Sequence, residues 1–570
     1  MRLLPLTLAL LALVACEQSP PPTAPAAEPA PQTQTPAAAD NEPVSVPTPS
    51  TAPDIRIEDL SAHIQNLASD DFAGRQPGGP GERKTVAYLT QEFKRMGLAP
   101  GNGDSYLQQV PMVEITSEPT GPVTIAVDGG EAMSLETGKD IVIQTLREDA
   151  EVSIKDSPLV FVGFGVNAPE LNWNDYAGLD VKDKTVVMLV NDPGFETGDA
   201  SLFGGKAMTY YGRWTYKYEE ALRQGAAAAI IVHDTAGAAY GWEVVQNSFV
   251  GAEFDLPHKA GDPKPLALRS WMTTEAATEL FKRSGKDFAA ERLAANKPGF
   301  TGYALPARVS MGVTSRVRHA ESANVVALVK GTETPDEVMI FTAHWDHFGR
   351  NFQGKEDGIF NGAIDNATGV AAMLELAEAF AAAPPKRSLM FLAVTLEESG
   401  LLGSRYYTEN PLLPLNKTVA TINMDAIQVI GRTRDVVVIG YGKSSLDEVL
   451  RDKAAAQGRV IIPEPTPENG FYYRSDHFNF ARAGVPSLYA KNGHDHIEKG
   501  EAYGRKIAED YVAKDYHKPS DEFDPTWDLS GNVEDAQLNF EVAKQIANDG
   551  SWPTWAEGSE FKAARDAMLK

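Results

Sequence analysis

Three apolar runs in the second half of the chain, residues 338–343, 388–396 and 419–424, stop at side chains able to bind a cation. His344 follows the first, Glu397 and Glu398 the second, and Asp425 the third. Runs rich in Val, Ile, Leu, Met and Phe, with little polar alternation, read as strands buried on both faces, which requires a parallel or mixed sheet covered by helices. One covering helix is legible at residues 368–382, where Val370, Met373, Leu374, Ala377 and Phe380 share a face and Pro384-Pro385 ends the pattern. Open sheets of this kind collect ligands just beyond the carboxyl ends of their strands. The expected class is α/β, with a mixed, mostly parallel sheet flanked by helices.

Composition narrows what such a sheet can serve. The chain has 570 residues and is 43% hydrophobic, enough for more than one packed domain. Its 52 Lys+Arg against 78 Asp+Glu leave a net charge of -26, which argues against nucleic acid as a partner. At the amino terminus Arg2 precedes an apolar run over residues 3–14, the length of a secretory signal rather than a membrane span. The run ends in Leu13-Val14-Ala15-Cys16, which resembles the lipobox of bacterial lipoproteins. Residues 1–16 are therefore expected to be a leader, with a lipid on Cys16 holding the protein on the extracytoplasmic, periplasmic side of a bacterial envelope. Cys16 is the single cysteine, so no intramolecular disulfide can form. Residues 17–53, rich in Pro, Ala, Thr and Gln, cannot build a core and read as a tether.

Folded sequence starts near Asp54. Residues 59–67 and 82–96 show helical spacing, with Gly97 as a terminator, and Asp70-Asp71-Phe72-Ala73-Gly74-Arg75 lies between them as a turn-rich connector. Short alternating strands are expected over 122–154. From residue 156 the pattern changes to buried strands at 159–165, 184–190 and 229–234 around a helix at 218–224. This predicts a small domain, residues 156–300, inserted between a first part (54–155) and a main part (301–555) of the larger domain. His233 within it has no metal-binding partner nearby and reads as structural.

The six residues His344, Asp365, Glu397, Glu398, Asp425 and His517 together suit a pair of zinc ions with a general base. Zinc takes imidazole nitrogen and carboxylate oxygen, and a close pair of ions needs one carboxylate that touches both. Asp365 is the candidate bridge, because Gly362 and Gly369 flank it and permit close approach. His344 and Asp425 would complete one ion, Glu398 and His517 the other. Asp346 is placed to orient the His344 imidazole. Glu397, beside a ligand but facing away from it, is left to take a proton from a water bridging the ions.

These residues sit in motifs that resemble the co-catalytic zinc aminopeptidases, relatives of glutamate carboxypeptidases and the transferrin receptor. The motifs are Ala343-His344-Trp345-Asp346-His347, residues 361–369, Glu397-Glu398-Ser399-Gly400-Leu401-Leu402-Gly403-Ser404, Asn423-Met424-Asp425 and Asp515-Tyr516-His517. The resemblance implies a zinc exopeptidase fold carrying a small, β-rich insertion like the protease-associated (PA) domain. It implies two zinc ions on His344, Asp365, Glu398, Asp425 and His517, Glu397 as base, and Tyr516 as donor to the oxyanion. The implied substrate is a peptide with a free amino terminus. A carboxypeptidase, a glutaminyl cyclase and a non-catalytic receptor-like scaffold are the alternatives. The filled ligand set argues against the last two.

Other motifs carry less. His347 reads as a residue behind the ligands, Ser475-Asp476-His477 as part of the pocket wall rather than a serine triad, and His494 and His496 as an exposed loop. Arg405, Arg474 and Lys491 stand out as cations in acidic surroundings, with no spacing that assigns them a role.

Overall fold

The sheet edge is built by strands whose carboxyl ends align. The computed structural model describes residues 54–249, 251–259, 261–351 and 357–570; the leader, Cys16 and the tether lie outside the described residues. The strands of the larger body are β1 (Leu107–Pro119), β2 (Tyr303–Val329), β3 (Thr334–His344), β4 (Arg387–Val394), β5 (Thr418–Asn423), β6 (Asp435–Ile439), β7 (Val460–Pro463) and β8 (Ser487–Asn492). β3 lies between β4 and β5 and runs parallel to both, and β5 runs parallel to β8. β2 borders β4 and β6 borders β8, both antiparallel, while β7 is parallel to β6. The sheet is thus mixed, with its central strands parallel.

Register decides what this sheet presents. His344 pairs with Val394, and Thr342 pairs with Asn423. His344, Glu397, Glu398 and Asp425 therefore leave the sheet at the same edge, each at a strand end or within a few residues of one. β3 is buried from Val338 to His344. Phe341 stacks on Phe391 of β4 with ring centroids 5.1 Å apart.

The helix Thr368–Ala382 covers this face, and all of its residues from Thr368 to Phe380 are buried, not only the stripe read from spacing. A second helical layer explains the difference. Helices Ile57–Leu67 and Ser530–Asp549 pack on its outer side, where Phe380 meets Phe540 at 4.4 Å. On the opposite face of the sheet, Tyr407 and Phe480 pack over Val326, Ile340 and Leu392. Among the described residues no helix is long and apolar enough to cross a membrane.

The second body is strand-rich, as expected over 156–300, but it also carries helices and its limits differ. Strands Glu151–Phe161, Thr185–Leu189, Ala228–Val232 and Leu268–Met272 run parallel, with helices on both faces. Its core also takes in Val123, Ile125 and Val152 from before residue 156, and Leu305, Val309 and Val313 from after residue 300. The boundaries shift because β2 runs through both bodies. Its first half pairs with Val123–Val127 and Glu151–Phe161, and its last residues pair with β4. One continuous strand so ties the second body to the sheet that carries the site.

Phe341→Ala should lower unfolding free energy by about 3–5 kcal/mol, as a buried aromatic cavity does. Denaturant unfolding measures this, and an unchanged midpoint would show that the stacked pair does not anchor the sheet.

Candidate metal centre

Asp365 reaches the sheet edge on a loop that is held from three sides. Gly362 sits at φ 57°, and a Cβ there would collide with the Asp365 carbonyl oxygen, so only glycine closes this turn. The Arg75 guanidinium is buried beneath it. It donates to the carbonyls of Leu67 (2.7 Å), Trp345 (2.9 Å), Asn361 (2.5 Å) and Gly362 (2.8 Å), a use of the rigid five-donor fork that lysine could not replace. Burial pushes the Arg75 pKa down to about 10, partly offset by Asp521 and Asp365.

Asp521 holds the loop from another side, accepting the Ile364 amide at 2.9 Å and the Asp365 amide at 3.0 Å. From the third, Asn366 accepts from Gly369 (3.0 Å) and Ala426 (3.1 Å) and donates to the Met424 carbonyl (3.1 Å). The Asp365-Asn366 peptide is cis.

The side chains then converge. His344 Nε2 lies 3.1 Å from Asp365 Oδ1, 3.4 Å from Asp425 Oδ1 and 4.0 Å from Glu397 Oε2. His517 Nε2 lies 3.3 Å from both Asp365 Oδ2 and Glu398 Oε2. Asp365 therefore offers one oxygen to each histidine, the disposition a bridging carboxylate needs. Its Oδ1 groups with His344 and Asp425, and a further group joins Asp365, Glu398 and His347.

His347 touches Glu398 directly, with Nδ1 2.6 Å from Oε1. Burial pushes the His347 pKa down to about 4, so the ring is neutral at physiological pH. Tyr516 stacks on His517 with centroids 3.7 Å apart, at the rim, where the phenol is exposed.

Electrostatics say what such a cluster lacks. Burial raises Glu397 well above the usual carboxylate range, reinforced by Asp425, Glu398 and Asp476. Burial and Asp365 push Glu398 up to about 8. Burial opposes charging His344, yet Glu397, Asp365 and Asp425 together lift it well above the ordinary histidine value. Asp365 is driven the other way: burial would raise it, but His344 and His517 hold it well below the usual range. Protein cations thus neutralise only part of the cluster. The buried Nε2 of His347 has no hydrogen-bond partner, and His517 Nε2 stands between two carboxylates without a well-formed hydrogen bond to either. Imidazole nitrogens placed so among crowded carboxylates fit divalent cations.

The structure brings His344, Asp365, Glu397, Glu398, Asp425 and His517 into one site. Asp346 does more than the reading above. Its carboxylate stands 3.9 Å from His344 Nδ1 and also accepts the backbone amides of Glu397 (3.1 Å) and Glu398 (3.3 Å), while His344 Nδ1 faces the Asp346 carbonyl oxygen at 3.2 Å. The Asp346 side chain thus positions the two glutamates, and its side chain and main chain both face the imidazole.

Ser475, Asp476 and His477 form no triad: Ser475 Oγ accepts from Asn423, Asp476 accepts from Ser404, and His477 is sandwiched by Tyr472 and Tyr489. His496 is buried rather than exposed, its Nδ1 accepting the Glu498 and Lys499 amides. His233 is structural, its Nε2 held 3.0 Å from the Tyr240 carbonyl oxygen. Arg75, Asn366 and Asp521 were not legible as site residues. Arg75 and Asn366 lie inside motifs already singled out, but the backbone groups they bind are assembled only by the fold.

Residues 324–541 match peptidase family M28. A "probable leucine aminopeptidase 2" of Aspergillus oryzae is 26% identical over 485 residues, 82% of this chain and 80% of that protein. A "probable zinc metalloprotease" of Pyrenophora teres f. teres is 38% identical over 106 residues, 18% of this chain and 22% of that protein. The match spans about a quarter of the length of such fungal zinc metalloproteases. Among solved structures, the aminopeptidase from Aneurinibacillus sp. strain AM-1 aligns with a TM-score of 0.47 at 21% identity, over 87% of this chain and 94% of that one.

Two outcomes follow from the site's construction. Chelation should lower the melting temperature and zinc should restore it, since a ligand bound only to the folded state stabilises that state; identical melting curves would argue against a cation here. Arg75→Met should cost about 3 kcal/mol or more by orphaning buried carbonyls, read from denaturant midpoints, and should weaken zinc retention on gel filtration.

Proposed function

We propose that this chain, whose residues 324–541 match peptidase family M28, is a zinc-dependent aminopeptidase that releases amino-terminal residues from peptides. The observation that carries this reading is Asp365, set between His344 and His517 with one carboxylate oxygen toward each. His344, Asp365 and Asp425 would hold one zinc ion, and Asp365, Glu398 and His517 the other. His347 completes the wall behind Glu398 through their 2.6 Å contact. Zinc bound there supplies Lewis acidity toward the scissile carbonyl and lowers the pKa of water.

The remaining chemistry belongs to the protein. Glu397 reaches the cluster without sharing its closest contacts, and it takes the proton of the attacking water and returns it to the leaving amine. Asp346 fixes where that carboxylate stands, because it binds the amides of both Glu397 and Glu398. Tyr516, at the rim over His517, donates to the oxygen that gains charge as the carbonyl becomes tetrahedral. The apolar leader ending at Cys16 supports a place in a bacterial cell envelope through a lipid on that residue.

The first test compares one peptide with its amino-terminally acetylated twin, products being identified by mass. Loss of the amino-terminal residue from the free peptide alone is expected; release from the carboxyl end of both would make the protein a carboxypeptidase. Glu397→Gln should keep its zinc by elemental analysis while turnover falls about a hundredfold to ten-thousandfold. Normal turnover in that variant would remove Glu397 from proton transfer.

A further inference from the structure

The two bodies meet along a seam beside the metal centre, and the seam holds cations that the protein does not neutralise. The Met208 amide donates to the Pro467 carbonyl at 3.1 Å, and the Tyr210 ring packs on Phe478 and Tyr473 at 5.0 and 6.0 Å. Arg213 closes the same turn and starts the helix Trp214–Arg223. Its side chain is more than nine-tenths buried and has no hydrogen bond or ion pair among the described residues, and its Nε is buried without a partner.

The other buried arginines among the described residues are engaged. Arg75 binds carbonyls, Arg387 pairs with Glu337 at 2.6 Å, Arg459 with Asp535 at 2.7 Å, and Arg565 donates to Thr418 at 3.0 Å. Arg405, the other cation conspicuous in the sequence, is held by Glu409 and Asp255. Two carboxylates at the seam are already taken, Glu219 by Tyr210, Arg223 and Arg482, and Glu560 by Tyr473 and Lys443.

More unpaired cations continue from Arg213 toward the metal site. Arg474 lies over Tyr240 at 5.6 Å and donates one bond, to the Ala238 carbonyl at 3.2 Å; its Nε too is buried without a partner. Arg474 also lies over Phe471 at 5.8 Å, and Lys491 Nζ stands over that same ring at 5.8 Å. Lys491 has no ion pair among the described residues and sits 5.0 Å over Tyr489, whose hydroxyl donates to the Asp425 carbonyl at 3.1 Å. Tyr210, three residues before Arg213, packs on Tyr473, the neighbour of Arg474; burial, with Arg474 adding to it, lowers the Arg213 pKa to about 9 against the opposing effect of Tyr240, Tyr210 and Tyr516. A chain of net charge -26 has carboxylates in surplus, yet among the described residues none forms an ion pair with Arg213 or Arg474, and Lys491 stands in the field of the metal-site carboxylates and Glu464 without pairing with one.

Burying an arginine unpaired is costly unless something else brings the anion. Resting on the peptidase reading above, we propose that Arg213 and Arg474, with Lys491 behind them, bind a carboxylate of the peptide substrate. Planar guanidinium groups suit a carboxylate in two-point contact. The carboxylate could come from the carboxyl terminus of a dipeptide or from an acidic side chain, and the site would make short or acidic peptides the preferred substrates.

The test uses the full chain with zinc and substrates sharing one amino-terminal residue: a dipeptide ending in alanine as the free acid, its carboxamide, and the carboxamide with aspartate in place of alanine. The acid should exceed its carboxamide in kcat/KM by roughly tenfold to a hundredfold, as a charged hydrogen bond implies. A similar advantage for the aspartyl carboxamide would assign side chains as a source; none would confine the site to chain termini. Arg213→Gln and Arg474→Gln should bring the acid-to-amide ratio toward one, and Arg213→Lys should keep part of it. A ratio is unaffected by how much of each variant folds. Calorimetry with a dipeptide whose scissile bond is reduced to an amine, as acid and as amide, reads the same preference without turnover. If no peptide is cleaved, the peptidase reading fails while calorimetry still decides the anion site. Equal binding of acid and amide, or a preference that survives all three substitutions, would overturn the inference.

Discussion

Asp365, Glu397, Glu398 and Asp425 all stand within reach of two histidines at one sheet edge. Ionised carboxylates in a buried setting repel one another and lose hydration, so the chain can hold them together only by spending other interactions on their backbone. That requirement explains Arg75, which binds carbonyls from Leu67 to Gly362, and Asp521, which takes the amides of Ile364 and Asp365. It explains Asp346 in the same way, since its carboxylate fixes the amides of Glu397 and Glu398. These groups are aimed at main chain, and the ligands are thereby positioned without their own oxygens being consumed.

The second body belongs to the same arrangement. β2 runs unbroken from its core into the sheet that bears the site, and the seam between the bodies comes together around Tyr210, Tyr473 and Phe478. The seam adds the unpaired guanidinium groups of Arg213 and Arg474 to a metal centre rich in carboxylates. In the proposed reading the metal centre takes the carbonyl of a peptide and the seam its carboxylate.

Much of the larger body could be read from its pattern. Val338 to Ala343 has the composition of a doubly covered strand, and a helix over residues 368–382 follows from its periodicity and the prolines after it. The second body was less legible. Its strands could be placed, but its limits could not, because β2 continues through the junction as one strand of 27 residues that pairs with both bodies. His496 illustrates another failure: a histidine between polar neighbours reads as exposed, yet the amides of Glu498 and Lys499 fold back onto Nδ1 and Tyr503 packs on the ring.

Residue type and strand ends are properties of the chain itself, so the sequence alone determined the α/β class and the set of cation-binding side chains at strand termini. The pairing within that set was a matter of tertiary structure. Which oxygen of Asp365 faces which histidine depends on strand register and on the three-sided hold of Arg75, Asn366 and Asp521. The isolation of Arg213 is likewise invisible in the chain, where acidic residues abound. Whether a cation has a partner is settled by distances between segments hundreds of residues apart, and those exist only once the two bodies have closed on their common strand.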